Sequence, residues 1–173
     1  MIPTPWCTPP KARVERGFTL TELMTTVAIL ALLMGLAAPT FSDIALSSRL
    51  KDAANRLVSF AAVARSEAIK RNAVVTLCMS ADAASCASSG GWEQGWIMRT
   101  ATEVLFKDAG APSGYKINGT VGAINFDPVG VGTTQATLTV CRYSPTVGAQ
   151  ERVVTVSATG KASSAKTTAG TCV

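Results

Sequence analysis

Apolar residues follow one another from Phe18 to Phe41, and the only charged side chain in that stretch is Glu22. About twenty apolar residues in succession are enough for a helix that crosses a lipid bilayer. A carboxylate inside such a helix is energetically costly, so it is usually retained for a function. We therefore predict that residues 18–41 form a helix embedded in lipid or in an apolar core, with Glu22 as a functional residue.

The pattern changes to that of an amphipathic helix over residues 42–72. Apolar residues recur there at spacings of three and four, which places them on one face of a helix. They are Leu46, Leu50, Ala53, Ala54, Leu57, Ala61, Ala64 and Ala68. We predict that this stripe packs on a sheet and that Asn72 ends the helix in a left-handed cap. Pro39 removes a helical hydrogen bond before this segment, so we expect a kink there.

Short runs with alternating apolar and polar positions indicate β-strands from residue 73 onward. The predicted strands are 73–79, 95–99, 103–107, 124–126, 136–143 and 152–156. Residues 158–171 are almost devoid of large apolar side chains, which predicts a loop-like tail. A long helix followed by strands indicates an α+β fold, in which a C-terminal antiparallel sheet domain, residues 73–173, covers the helix stripe.

Few residues offer chemistry for catalysis or metal binding. The chain contains no histidine, the commonest general base and metal ligand. Asp82, Glu93 and Asp127 are far apart in sequence, which does not favour a calcium site. Trp92 and Trp96 are four residues apart, so on a strand both rings face one side and are expected in the core. We therefore expect no enzymatic activity, no cofactor and no metal site.

The cysteines divide into one before the apolar segment, Cys7, and four after it. An even number of cysteines outside a membrane segment indicates disulfides in an oxidising compartment such as the periplasm. Four cysteines allow three pairings. We favour Cys78–Cys86, which closes a short loop, and Cys141–Cys172, which ties down the polar tail.

The N-terminal residues carry the most specific motif. The stretch from Arg16 to Glu22 reads Arg-Gly-Phe-Thr-Leu-Thr-Glu and follows a basic leader. It resembles the type III signal sequence of type IV pilins and type II secretion pseudopilins. The resemblance implies that prepilin peptidase removes residues 1–17 by cutting after Gly17 and then methylates the new N-terminus at Phe18. It also implies that Glu22 attracts the N-terminus of a neighbouring subunit, and that Pro39 marks a flexible part of the helix.

Two other interpretations of the N-terminus remain open. A secretory signal peptide has its cleavage site after the apolar run, and residues 37–39, Ala-Ala-Pro, are a weak site of that kind. An uncleaved membrane anchor is the other alternative, but a simple anchor has no need of Glu22.

Two further segments resemble the FimT-type minor pilins and H-type pseudopilins. Residues 64–72 read Ala-Arg-Ser-Glu-Ala-Ile-Lys-Arg-Asn and run directly into a predicted strand, and residues 92–96 read Trp-Glu-Gln-Gly-Trp. The resemblance implies the type IV pilin fold and a place at or near the tip of a pilus or secretion pseudopilus. The implied partners are other pilins or pseudopilins, prepilin peptidase, the inner-membrane assembly platform and membrane lipid. Before assembly the protein would be a single-pass inner-membrane protein with a periplasmic domain.

DNA uptake is the alternative function that the resemblance raises. Some FimT-type pilins bind DNA through a basic Gly-Arg-x-Arg motif, and the matching residues 160–163 here read Gly-Lys-Ala-Ser. Without the leader the chain has 13 basic and 10 acidic side chains, which is a weak charge for a nucleic-acid partner. The candidate DNA contacts are Arg142, Arg152, Lys161 and Lys166.

Overall fold

A long helix, α1, extends from Leu20 to Arg71. The protein is described by a computed structural model that covers residues 17–129, 134–144, 150–168 and 170, with only the backbone described at 36–40. The chain divides into two compact units, Met1–Phe41 and Ser42–Val173.

The first unit is exposed at every residue whose side chain is described, 17–35 and 41. Leu23 and Leu32, for example, expose 60% and 67% of their surface. In the part of the chain that the structure describes, no helix combines the length and the apolar content needed to cross a membrane. The membrane insertion of residues 18–41 therefore stays a prediction. The leader up to Arg16 and the side chain of Pro39 lie outside the described residues, so the predicted kink stays a prediction as well.

The predicted stripe of the second half of α1 is confirmed, because each of its eight residues is buried. The predicted end of the helix is also confirmed. Asn72 follows the last helical residue with φ at 50°, and the N–H of Ala73 donates to the carbonyl of Ala68 at 3.2 Å. This left-handed cap turns the chain directly from the helix into the first strand.

Eight strands form two four-stranded antiparallel sheets in the described part of the chain. The strands are β1 (Val75–Met79), β2 (Trp96–Arg99), β3 (Val104–Asp108), β4 (Tyr115–Gly119), β5 (Ala123–Phe126), β6 (Ala136–Arg142), β7 (Glu151–Val156) and β8 (Ala162–Thr167). The first sheet has the order β3-β2-β1-β5 and the second the order β4-β6-β7-β8. Side chains from both sheets share one hydrophobic core with the helix stripe. The expected α+β fold, a long N-terminal helix packed on an antiparallel sheet domain, is confirmed, with two sheets where one was expected.

The prediction of a loop-like tail over residues 158–171 is wrong, because β8 pairs with β7 along its whole length. Its central side chains, Ser163 to Ala165, are exposed on both faces, so the strand lacks the alternation by which strands are recognised. Hydrogen bonds from β7 and a tight turn at Gly160, where φ is 72°, hold it instead. Strand β4 was not predicted either, although Tyr115 to Asn118 alternate between apolar and polar positions, a signal that our prediction missed.

The two tryptophans lie in the core, as predicted. Trp96 meets the ring of Phe60 on α1 edge to face, with the ring centroids 6.0 Å apart. Trp92 occupies a 3₁₀ turn before β2, and its indole N–H donates to the carbonyl of Val121 at 2.9 Å. Val121 belongs to the connection between β4 and β5, which runs from the second sheet to the first. The hydrogen bond therefore anchors this connection to Trp92.

We predict that Gly119→Ala destabilises the domain by about 1–3 kcal/mol, because overpacking of a filled core has costs of that size. A Cβ at position 119 would lie 2.6 Å from the indole nitrogen of Trp92 and 2.8 Å from Leu138, both of which are buried. Asn118→Ala, at the exposed neighbouring position, is the matched control. Denaturant unfolding followed by tryptophan fluorescence measures the difference, and equal midpoints for the two variants would contradict the packing argument.

Candidate functional site

The residues of the signal motif lie at the start of α1. Gly17, Phe18 and Thr19 are exposed and precede the first helical residue, Leu20. The side chain of Phe18 is 80% exposed. The Gly17–Phe18 peptide bond is therefore in exposed, non-helical chain immediately before a helix, where a peptidase can reach it.

Thr19 caps the helix. Its hydroxyl oxygen accepts the backbone N–H of Glu22 at 3.3 Å, and its carbonyl accepts the N–H of Leu23 at 3.1 Å. The Thr19 hydroxyl also lies 3.4 Å from the Glu22 carboxylate. Glu22 is in the first turn, where the helix dipole favours a negative charge. Thr19 and Glu22 thus have the spacing of a capping box, a signal that the sequence contains and that our prediction missed.

The Cys78–Cys86 disulfide is present, as predicted, and joins the end of β1 to the loop that follows. Cys141 on β6 is also disulfide-bonded. Its predicted partner, Cys172, lies outside the described residues, so the Cys141–Cys172 pairing stays a prediction.

Asp82 organises the loop that the Cys78–Cys86 disulfide closes. Its carboxylate accepts the hydroxyl of Ser85 at 2.6 Å, the backbone N–H groups of Ser85 and Ala84 at 2.9 Å, and the hydroxyl of Ser80 at 2.9 Å. These hydrogen bonds, with that of the Ser85 hydroxyl the strongest, hold the pKa of Asp82 well below its usual range. The carboxylate is a structural acceptor for the loop.

The described residues contain no group of three or more histidine, cysteine, aspartate or glutamate side chains that could hold a metal ion. Glu93 serves the fold instead: its carboxylate accepts the N–H of Ile117 at 3.2 Å on the free edge of β4.

The register of the second sheet separates the four candidate DNA contacts into two places. Arg152 on β7 is opposite Lys166 on β8 and Val140 on β6, and Arg142 lies two residues beyond Val140, so these three cations share one face and one end of the sheet. Lys161 is at the other end, in the turn between β7 and β8. Arg152 is half-buried and donates from Nη2 to the hydroxyl of Ser47 on α1 at 3.2 Å. DNA contact by these residues stays a prediction.

Two family models match the chain. The model described as type II transport protein GspH matches residues 53–160, and the prokaryotic N-terminal methylation motif matches residues 12–38. A search of curated proteins finds no match.

Solved structures with the same fold include a minor pilin, in two crystal forms, and a minor pseudopilin. The type IV minor pilin FimU of Pseudomonas aeruginosa superposes with a TM-score of 0.56 at 20% identity, over 68% of this chain and 88% of that one. A second crystal form of FimU gives 0.54 at 20% identity, over 67% and 92%. The minor pseudopilin EpsH of the Vibrio cholerae type 2 secretion system gives 0.51 at 14% identity, over 68% and 96%. At these identities the likeness is one of fold.

We predict that Asp82→Asn weakens the acid sensitivity of the domain. Because the folded pKa of Asp82 is lowered, its hydrogen bonds stabilise the fold above the ordinary carboxyl pKa, about 3.9, and that stabilisation is lost as the pH falls towards the folded value. The variant should unfold more easily than the wild type at neutral pH, and the two should converge in acid. Urea midpoints over the acid range test this, with Asp43→Asn on α1 as the control. A variant with the full wild-type pH dependence would show that Asp82 has no such role.

Proposed function

We propose a role in filament assembly for this chain, which belongs to the type II transport protein GspH family and carries a prokaryotic N-terminal methylation motif. It is a minor pilin or pseudopilin. In our proposal prepilin peptidase cuts it after Gly17, and the mature subunit then assembles at or near the tip of a type IV pilus or secretion pseudopilus. Its partners are other pilins or pseudopilins, and its role is structural.

The observation that carries the proposal is the start of α1. An exposed, non-helical Gly17–Phe18 bond is followed after one residue by the helix cap, with a carboxylate in the first turn. Cleavage there creates a positive N-terminus at Phe18 without removing Thr19, so the cap and the position of Glu22 survive processing. The apolar, exposed segment that follows is suited to lipid before assembly, with the Ser42–Val173 unit in the periplasm, and to a core of similar helices afterwards.

Glu22 gives the assembly its register. A carboxylate surrounded by apolar helices is poorly screened and attracts the N-terminus of a neighbouring subunit. A buried ion pair contributes little net stability, because desolvation offsets much of the Coulomb attraction. Removing one partner is strongly unfavourable, so only the subunit in the correct step satisfies both charges.

We expect the protein from its native host to begin at Phe18 and to carry one methyl group. Intact-mass analysis checks both points. Replacing Gly17 with a bulky residue should leave the chain uncut, since a peptidase that cleaves after glycine has no room for a larger side chain. An uncut wild-type chain, or one that starts at Thr40, would contradict the proposal.

Glu22→Gln should abolish or strongly reduce incorporation into filaments while leaving processing and membrane retention intact. The substitution removes the charge but keeps a side chain that can complete a capping box. Glu22→Ala removes both the charge and the capping group.

Comparison of the two variants separates assembly from helix capping. If the two variants are lost equally from the sheared filament fraction while both are retained in membranes, the charge of Glu22 is the assembly signal. Wild-type incorporation of Glu22→Gln would show that the charge is not needed, and a defect confined to Glu22→Ala would assign the residue to the helix cap.

A further inference from the structure

An apolar groove runs between α1 and the edge strand β3. Its lining is apolar apart from one serine at the lip, and it encloses about 180 Å³. The lining residues are Ser59, Phe60, Val63, Met98 and Phe106. We call this the β3 groove.

Side chains of α1, β2 and β3 line the groove. Phe106 is opposite Met98 of β2 and therefore projects from the same face of the sheet, towards α1. Met98 is fully covered and forms the floor, whereas Phe106 is 50% exposed and Val63 on the helix is 40% exposed. The walls are thus two large apolar side chains that the Ser42–Val173 unit leaves half uncovered.

Two ion pairs join α1 to the residues at the two ends of β3. Arg56 of α1 binds Asp108, the last residue of β3, at 2.6 Å and donates to the carbonyl of Gly110 at 3.0 Å. Arg71 of α1 binds Glu103, just before β3, at 2.6 Å. None of these charged residues lines the groove.

In both pairs the helix supplies the cation and the strand side supplies the anion. The charges between α1 and the ends of β3 are therefore already compensated, and the residues that line the groove carry no charge, so a phosphate-bearing ligand would gain little there. The chemistry of the groove selects an uncharged, apolar occupant.

We propose that the β3 groove receives one large apolar side chain from a neighbouring pilin-type subunit in the assembled filament. The volume fits, since an apolar cavity of about 150 Å³ holds a single benzene-sized group. The surface is far smaller than the roughly 800 Å² per partner of a stable complex, so the groove cannot hold a free partner alone. It requires a partner that larger contacts already bring alongside α1. This inference rests on the proposed function, because a filament supplies such a neighbour.

Filling the groove tests the proposal in the full-length protein. Ser59→Leu places a branched apolar side chain at the lip, in a residue type that favours helix, so the fold should be retained. The matched control is Ala62→Leu, at an exposed position of the same helix that does not line the groove. We expect Ser59→Leu to be processed normally but to reach the sheared filament fraction at roughly one tenth of the wild-type level, the equilibrium factor for one large buried side chain. Ala62→Leu should incorporate normally. Equal incorporation of Ser59→Leu and wild type would overturn the proposal.

Photo-crosslinking identifies the occupant. A diazirine-bearing aliphatic residue of valine size at position 63 should link, on irradiation of intact cells, to a pilin-type subunit identified by the mass of the product. A link to lipid or to a protein of another class would overturn the proposed occupant of the β3 groove but would not contradict the proposed function. The same conclusion would follow from the absence of a link although the wild type is in filaments. Absence of the wild type from filaments would overturn both.

Discussion

Close packing between the small residues of α1 and the large residues of the two sheets is the constraint on which the Ser42–Val173 unit depends. Five of the eight buried stripe residues are alanines, which allow the helix backbone to come near the strands. The sheets supply most of the volume, through side chains such as Trp92, Trp96 and Phe126. A protein interior is packed as densely as an organic crystal, so small residues on the helix leave room for large ones on the sheets. The position of the helix over both sheets follows from this packing.

Local runs of apolar side chains were sufficient to predict the stripe of α1 and most of the strands. Strands β5 and β6 alternate between core and solvent, whereas β2 is buried over most of its length and β3 has no buried residue. Strand β8 has no apolar run, because its formation depends on hydrogen bonds to β7 and not on its own side chains. The division of the strands into two sheets could not be predicted from the sequence either, since β4 and β5 follow each other in the chain and join different sheets. Pairing between distant segments has no local signature.

The candidate site at the start of α1 was easier to predict than the groove, for a related reason. Gly17, Phe18 and Glu22 lie within six residues of chain, so a short motif contains the whole arrangement. The groove depends on contacts between residues far apart in sequence, such as Arg56 with Asp108. Neither partner of that pair stands out in the sequence. The ion pair forms only because the fold brings a cation of the helix to the end of a strand.

The tight connection at Asn72 also gives the protein a path for mechanical load. Tension applied along α1 enters the Ser42–Val173 unit through β1, which is hydrogen-bonded on one side to β2 and on the other to β5. Force along a central strand loads the hydrogen bonds on both of its sides together, so they resist as a group. If these hydrogen bonds break, the disulfide between Cys78 and Cys86 prevents the loop between them from extending. Each residue of an extended loop would add about 3.3–3.6 Å to the length of the chain. A chain that is pulled along α1 therefore has a covalent stop just behind its first strand.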